Sequence, residues 1–371
     1  MVGKVSDLEY LEKAIEQEKN YEDEEEETGG LEYTRYDITS YGIDFDVDGL
    51  VKRLKRGDIY IPPFQRDYVW KMPEASRFIE SLLLGLPVPG VFLAQDQDTG
   101  KMLVIDGQQR LMSLMYFYTG EFKPIEGAKT KRIFRLSKVK SKYDGKSYEE
   151  LESKDRINLD NSVIHATIVK QESPAEDDTS IYHIFERLNS GGRKLTPQEI
   201  RVAVYHGRLI EMVKELNELP AWREIFGPKN DRMKDVELIL RFFAMLIYRD
   251  SYTKPMVEFI NIFCAKNRNP TDEKLMRLKN VFTETVSVFH RACEEKPFRP
   301  ARALNVALYE SAMVGLAERL QSGHAISDAE VRDAYNGLVT DAEFMELISQ
   351  STSDVRNLKG RMDAAIDAFA R

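Results

Sequence analysis

What this chain has little of narrows its chemistry first. Its 371 residues include two cysteines, Cys264 and Cys293, too few for a disulfide framework or a cysteine zinc cluster and in keeping with a reducing compartment. No apolar run approaches the roughly 20 residues that cross a bilayer, and residues 1–20 lack a basic stretch followed by an apolar one. A cytoplasmic protein without a membrane partner is the expectation. Neither a Walker phosphate loop nor a Rossmann glycine fingerprint is present, so any phosphate site must be built another way. No internal repeat recurs at a fixed period.

The chain is acidic on balance but not uniformly so. The net charge is −9, yet residues 1–30 hold eleven acidic and three basic side chains, which leaves residues 31–371 near −1. The acidic block Glu22 to Glu27 repels itself and is expected to be a mobile tail, either a solubilising extension or a nucleic-acid mimic over a basic surface. That basic surface is the run from Lys129 to Lys146, eight Lys or Arg against the single acid Asp144. Lys129, Lys131, Arg132, Arg135, Lys138, Lys140 and Lys142 are its candidate DNA-phosphate contacts, with a lysine-protected strand edge as the alternative.

Length permits two or more domains. Three parts are expected: the tail (1–30), a mixed α/β core (31–206) with a basic, turn-rich insert (123–156), and a helical domain (207–371). In the core, Ile59 to Ile61, Met102 to Ile105, Ile133 to Leu136 and Val163 to Lys170 read as strands, and the stretch Val88 to Ala94 leads into another. Met72-Pro73 opens a helix, since proline is harmless in a first turn. Beyond Arg208 apolar residues recur at spacings of three and four, in runs that include Val236 to Tyr248, Leu275 to Ala292, Asp328 to Ser349 and Val355 to Phe369. An α+β core followed by an all-helical half is the fold class this implies.

The stretch Val104 to Leu114 carries the densest signal. Its apolar strand, its Asp106-Gly107 turn and its helix opening on Gln108, Gln109 and Arg110 form a strand, turn and helix junction. The first amides of a helix have no intrahelical partner and favour an anion. Gly107 lets a ligand approach the backbone, the amides and guanidinium suit phosphate oxygens, and Asp106 suits a metal-bound water. The alternative is a capping Asp106 with solvated neighbours. Two further stretches invite the same question. Phe64-Gln65-Arg66, before Tyr68 and Trp70, forms either a polar clamp between aromatics or an ordinary core segment with a surface arginine. Asn189-Ser190-Gly191-Gly192 forms either a second anion cradle or a plain helix connection, before a helix capped by Thr196, Pro197 and Glu199.

Taken in order, Ile61 to Trp70, Val104 to Leu111, Phe185 to Gly192 and Leu195 to Glu199 resemble the GmrSD-type restriction endonuclease N-terminal domain family, related to ParB and sulfiredoxin. The resemblance covers about residues 45–205. It implies a ParB-like core that binds and hydrolyses a nucleoside triphosphate, with Mg2+, in bacterial anti-phage restriction of foreign or modified DNA. On that basis Asp106, Gln108, Gln109 and Arg110 are the expected catalytic residues, with Asp106 also the metal ligand. Phe64, Gln65, Arg66, Gly107, Asn189, Ser190 and Gly191 are the expected nucleotide-binding residues. DNA, a partner nuclease and self-association are the expected interactions. Two-part members carry a His- and Asn-based nuclease domain at the C-terminus, whereas only His290 and His324 follow His206 here. Nuclease activity is therefore not expected in this chain. A sulfiredoxin-like cysteine is missing from the core as well. The competing reading is a ParB-like, nucleotide-switched DNA-binding module without turnover.

Overall fold

The structure, a computed structural model, describes residues 37–61, 68–96, 99–123, 132–139, 142–173, 179–188, 195–293, 297–300 and 303–370. Two compact units divide the chain between Val204 and Tyr205. The first is a five-stranded mixed sheet with helices, and the second is helical.

The sheet is built from β1 (Asp37–Asp46), β2 (Ile59–Tyr60), β3 (Val91–Gln95), β4 (Met102–Asp106) and β5 (Val163–Ser173), in the order β1-β5-β3-β4-β2. β3 and β4 form the hairpin expected from the sequence, pairing antiparallel with Leu93 opposite Val104. β2 runs parallel to β4, with Ile59 opposite Met102 and Tyr60 opposite Leu103. Consecutive β4 side chains point to opposite faces, and Met102 through Ile105 are all buried, so both faces of this strand are covered.

One face carries α1 (Val47–Arg56) and α3 (Gln108–Thr119), joined by α2 (Met72–Leu83). α1 begins where the Asp46 carboxylate accepts the Gly49 amide at 2.6 Å, and it buries Val47, Leu50, Val51 and Leu54 at helical spacing. α3 buries Leu111, Leu114 and Phe117 completely and packs against both α1 and α2. On β4 and β5 rests α5 (Thr179–Leu188), with Phe185 fully buried. α6 (Pro197–Val204) starts with the expected reciprocal cap, the Thr196 amide donating to Glu199 at 2.6 Å and the Glu199 amide to the Thr196 hydroxyl at 3.2 Å.

The insert differs from its sequence expectation in one respect. Ile133 to Leu136 is not a strand, for the described residues there make a single bridge, Ile133 to Glu121. Phe134 and Leu136 are buried and Ile133 and Arg135 exposed, which mimics strand alternation, but Phe134 packs edge-on against Phe117 and Phe122 instead of joining the sheet. A short helix, α4 (Ser153–Asp160), closes the insert, and its Asp160 accepts hydrogen bonds from the hydroxyls of Tyr118 at 2.6 Å and Tyr148 at 2.9 Å.

The helical unit comprises α7 (Arg208–Leu216), α8 (Pro220–Phe226), α9 (Lys234–Tyr248), α10 (Met256–Lys266), α11 (Asp272–Ala292), α12 (Val306–Gln321), α13 (Asp328–Thr340), α14 (Ala342–Leu347) and α15 (Val355–Ala370). The run expected as one helix from Asp328 to Ser349 is two, because Asp341 takes extended backbone and caps α14 through the Phe344 amide at 2.8 Å. Glu310 lies fully buried between Arg361, at 2.9 Å, and Arg241. No described helix is long and apolar enough to cross a membrane.

Candidate functional site

The site grows from the parallel pairing of β2 and β4. Strands that run parallel side by side release their chains at the same edge of the sheet, where open α/β sheets take their ligands. β4 ends in Asp106 and Gly107, and β2 hands over to residues 61–67. Phe64, Gln65 and Arg66 lie outside the described residues, but both ends of their segment are held. Ile61 follows the paired β2, and at the other end Gln109 Oε1 accepts the amides of Val69 at 3.0 Å and Trp70 at 3.1 Å. One helical turn on, Ser113 Oγ lies 2.7 Å from the Tyr68 hydroxyl and also donates to the Gln109 carbonyl at 2.6 Å. Burial pushes the Tyr68 phenol up to about 12, so it stays protonated at neutral pH. Ser113 was not singled out by sequence reasoning; its signal is a hydroxyl four residues after Gln109 on an otherwise apolar helix face.

Two donated amides require an oxygen at that Gln109 atom, which fixes the orientation of the carboxamide. Its Nε2 then lies buried with no hydrogen-bond partner among the described residues. A buried donor left in this way calls for an acceptor. Gln109 was expected to be catalytic; its oxygen is committed to the amides of Val69 and Trp70, which leaves only its nitrogen without a partner among the described residues.

Gly107 sits at φ 100°, in the left-handed region that disfavours a side chain. A Cβ there would also come within 2.5 Å of Val91 Cγ1 and 3.4 Å of Arg110 Nη2. The turn therefore needs glycine on two counts. Helix α3 starts from this glycine without a side-chain cap. Arg110 Nη2 pairs with Asp106 Oδ2 at 2.8 Å, with the arginine side chain 14% and the aspartate 53% exposed. Gln108 occupies the first helical position, half-buried. Asp106, Gly107, Gln108, Gln109 and Arg110 are thus gathered on one turn, against the segment that follows Phe64-Gln65-Arg66. Asn189, Ser190 and Gly191 lie outside the described residues.

Residues 47–206 match the sequence model of the GmrSD restriction endonuclease, N-terminal domain. This segment belongs to that family. The matched span contains the whole gathering of Asp106 to Arg110. An uncharacterized protein of Methanocaldococcus jannaschii is 24% identical over 265 aligned residues, covering 50% of this chain and 44% of the relative. The chain thus spans less than half the length of that relative.

The basic run of the GmrSD-type domain is only partly free. Arg135 is paired with Glu150, Nη2 to Oε1 at 2.7 Å, and donates to the Gly145 carbonyl at 2.9 Å, while Lys142 pairs with Asp155 at 2.9 Å. Both acids follow directly after the stretch that the charge count covered. Arg132, whose guanidinium sits 5.0 Å from the Phe122 ring centre, and Lys138 are exposed. Lys129, Lys131 and Lys140 lie outside the described residues.

Proposed function

We propose that the GmrSD-type domain binds a nucleoside triphosphate at the start of α3 and hydrolyses it, serving restriction of foreign or modified DNA. The nuclease in this reading belongs to a partner. The observation that carries it is the buried, unpartnered Gln109 Nε2 in the first turn of α3, a helix that starts from Gly107 without a side-chain cap.

The residues present fit a phosphate. Backbone amides and Gln109 Nε2 would bind its oxygens, and Arg110 would move from Asp106 to the charge that develops on the transferred phosphoryl group, joined by Arg66. Gln108, at the first position of α3, would orient the attacking water. Among the described residues no group of three or more His, Cys, Asp or Glu could hold a metal. A magnesium ion would therefore rest on Asp106 together with phosphate oxygens and water, a common arrangement for that ion, and would supply charge neutralisation.

The competing reading, a nucleotide-switched DNA-binding module, draws on the same donors. The existing Asp106 to Arg110 pair favours it to this extent: Asp106 is engaged before any ligand arrives. Phosphate release measured across the four ribonucleoside triphosphates, with and without DNA, separates the two. Release from at least one nucleotide is expected. Nucleotide binding without release supports the switch, and no binding of any nucleotide refutes both.

A further inference from the structure

In the helical unit, one face of α13, the side of α14 and one face of α15 enclose an open groove of about 700 Å³. Glu330, Ala334, Gly337 and Asp341 recur at spacings of four, three and four along α13, so the groove runs for roughly three turns, about 16 Å. Gly360 and Ala364 face it from α15. A Cβ added at Gly337 would meet nothing within 4 Å, so the space above that backbone is open. The floor is apolar, with Phe344 and Phe369 almost fully buried beneath it.

Glu330, Asp333, Asp341, Glu343 and Asp367 are the charged residues lining this groove. No Lys, Arg or His lines it, and none of the five carboxylates forms an ion pair among the described residues. Glu330 and Asp341 do accept amides at the caps of α13 and α14, contacts that do not cancel their charge. Such a cleft concentrates negative potential over an apolar floor. Nucleic acid is repelled by it, as is this chain's own acidic block Glu22 to Glu27.

We propose that the α13–α15 groove docks an amphipathic helix of a partner protein, with a stripe of alanine- to leucine-sized residues on the floor and lysine or arginine on both flanks. Small residues at Ala334, Gly337 and Ala364 admit the helix closely, as small side chains do wherever helices pack backbone to backbone, and the rim carboxylates orient it.

The probe is a fluorescein-labelled 14-residue peptide with an Ala/Leu stripe and lysines on both sides, titrated with the full chain by anisotropy. Its partner probe carries the same stripe flanked by glutamates. The basic peptide is expected to bind, and at least about tenfold more tightly than the acidic one. Gly337→Phe fills the groove at an open position without touching the core. It should weaken binding by about tenfold or more with an unchanged melting temperature, and Asp333→Lys with Asp367→Lys should do the same. Equal affinity for both peptides overturns the proposal, as does basic-peptide binding that Gly337→Phe leaves intact, which would mark plain attraction to an acidic surface. Concentration-dependent dimerisation abolished by Gly337→Phe would assign the groove to a second copy and overturn the partner assignment.

Discussion

The carboxamide oxygen of Gln109 accepts the backbone amide of Val69 at 3.0 Å, and this bond joins two motifs that lie forty residues apart. It makes the helix that opens on Gln108 the anchor for residues 69 and 70, which follow Phe64, Gln65 and Arg66 in the chain. The nitrogen of the same side chain is buried with no hydrogen-bond partner among the described residues, so the scaffold and the candidate site meet in one residue.

Gln109→Ala should therefore affect two things to different degrees. Leaving the Val69 and Trp70 amides without their acceptor is expected to cost about 1 to 3 kcal/mol of stability. Nucleotide affinity should fall as well, measured by calorimetry on the folded protein. Tyr68→Phe removes the hydrogen bond to Ser113 alone and should cost about 1 kcal/mol with affinity preserved. If the two variants lose affinity alike, the role of Gln109 Nε2 as a ligand donor fails.

Arg110→Lys tests the guanidinium. An ammonium cannot reproduce the planar fork of donors, so turnover should fall about a hundredfold, on the order of 3 kcal/mol of transition-state stabilisation. The pair with half-exposed Asp106 is worth up to about 1 kcal/mol, so the melting temperature should move little in Arg110→Lys and Asp106→Asn. Arg66→Lys should lose turnover comparably. A large fall in melting temperature with the specific activity of the folded fraction intact would make Arg110 a brace and not a catalytic group.

Gly107→Ala places a side chain at φ 100° and into Val91. A cost of about 2 kcal/mol or more is expected from backbone strain and overlap together, read as a lowered denaturation midpoint. Gly107→Ala combined with Val91→Ala should recover only the part due to overlap.

The basic insert divides into free and engaged charges. Replacing Arg132 and Lys138 with alanine should weaken DNA binding and reduce the slope of log affinity against log salt by roughly 0.9 for each phosphate no longer neutralised. Arg135→Ala and Lys142→Ala, which remove partners of Glu150 and Asp155, should leave that slope unchanged. An unchanged slope in all four variants would exclude the insert as a DNA-binding surface.

In the helical unit, burial raises the Glu310 carboxyl, but Arg241 and Arg361 more than offset this and hold it below its ordinary range. A depressed folded-state value means the carboxylate contributes stability above its unfolded value, near 4.5, and loses that contribution as pH falls through the folded value. Glu310→Gln should destabilise by about 3 to 5 kcal/mol at pH 7, because two arginines are left buried against a neutral group. The variant should also lose less stability than the parent on going from pH 5 to pH 3, which denaturation midpoints at the two pH values will show.

The strand, turn and helix at residues 102–119 were legible in the sequence because each part is local. An apolar run, a glycine turn and a 3.6-residue period specify it within eighteen residues, and the same holds for the Thr196 cap and the helical half. Family membership was legible as well, since motif order survives in the chain itself. The strand expected at 133–136 was not borne out, because alternating burial arises equally from side chains reaching into an aromatic cluster, and only the absence of a paired neighbour tells the two apart. The free charge of the basic run is smaller than its composition suggests for a related reason. Glu150 and Asp155 fold back onto Arg135 and Lys142 from beyond the counted stretch. Above all, tertiary structure alone decided that residues 68–70, which follow the Phe-Gln-Arg motif in the chain, meet the helix that opens after the glycine turn. That meeting depends on β2 pairing in parallel with β4 across more than forty intervening residues, and on Gln109 reaching the Val69 and Trp70 amides. Backbone hydrogen bonds between distant strands leave no periodic mark on either segment.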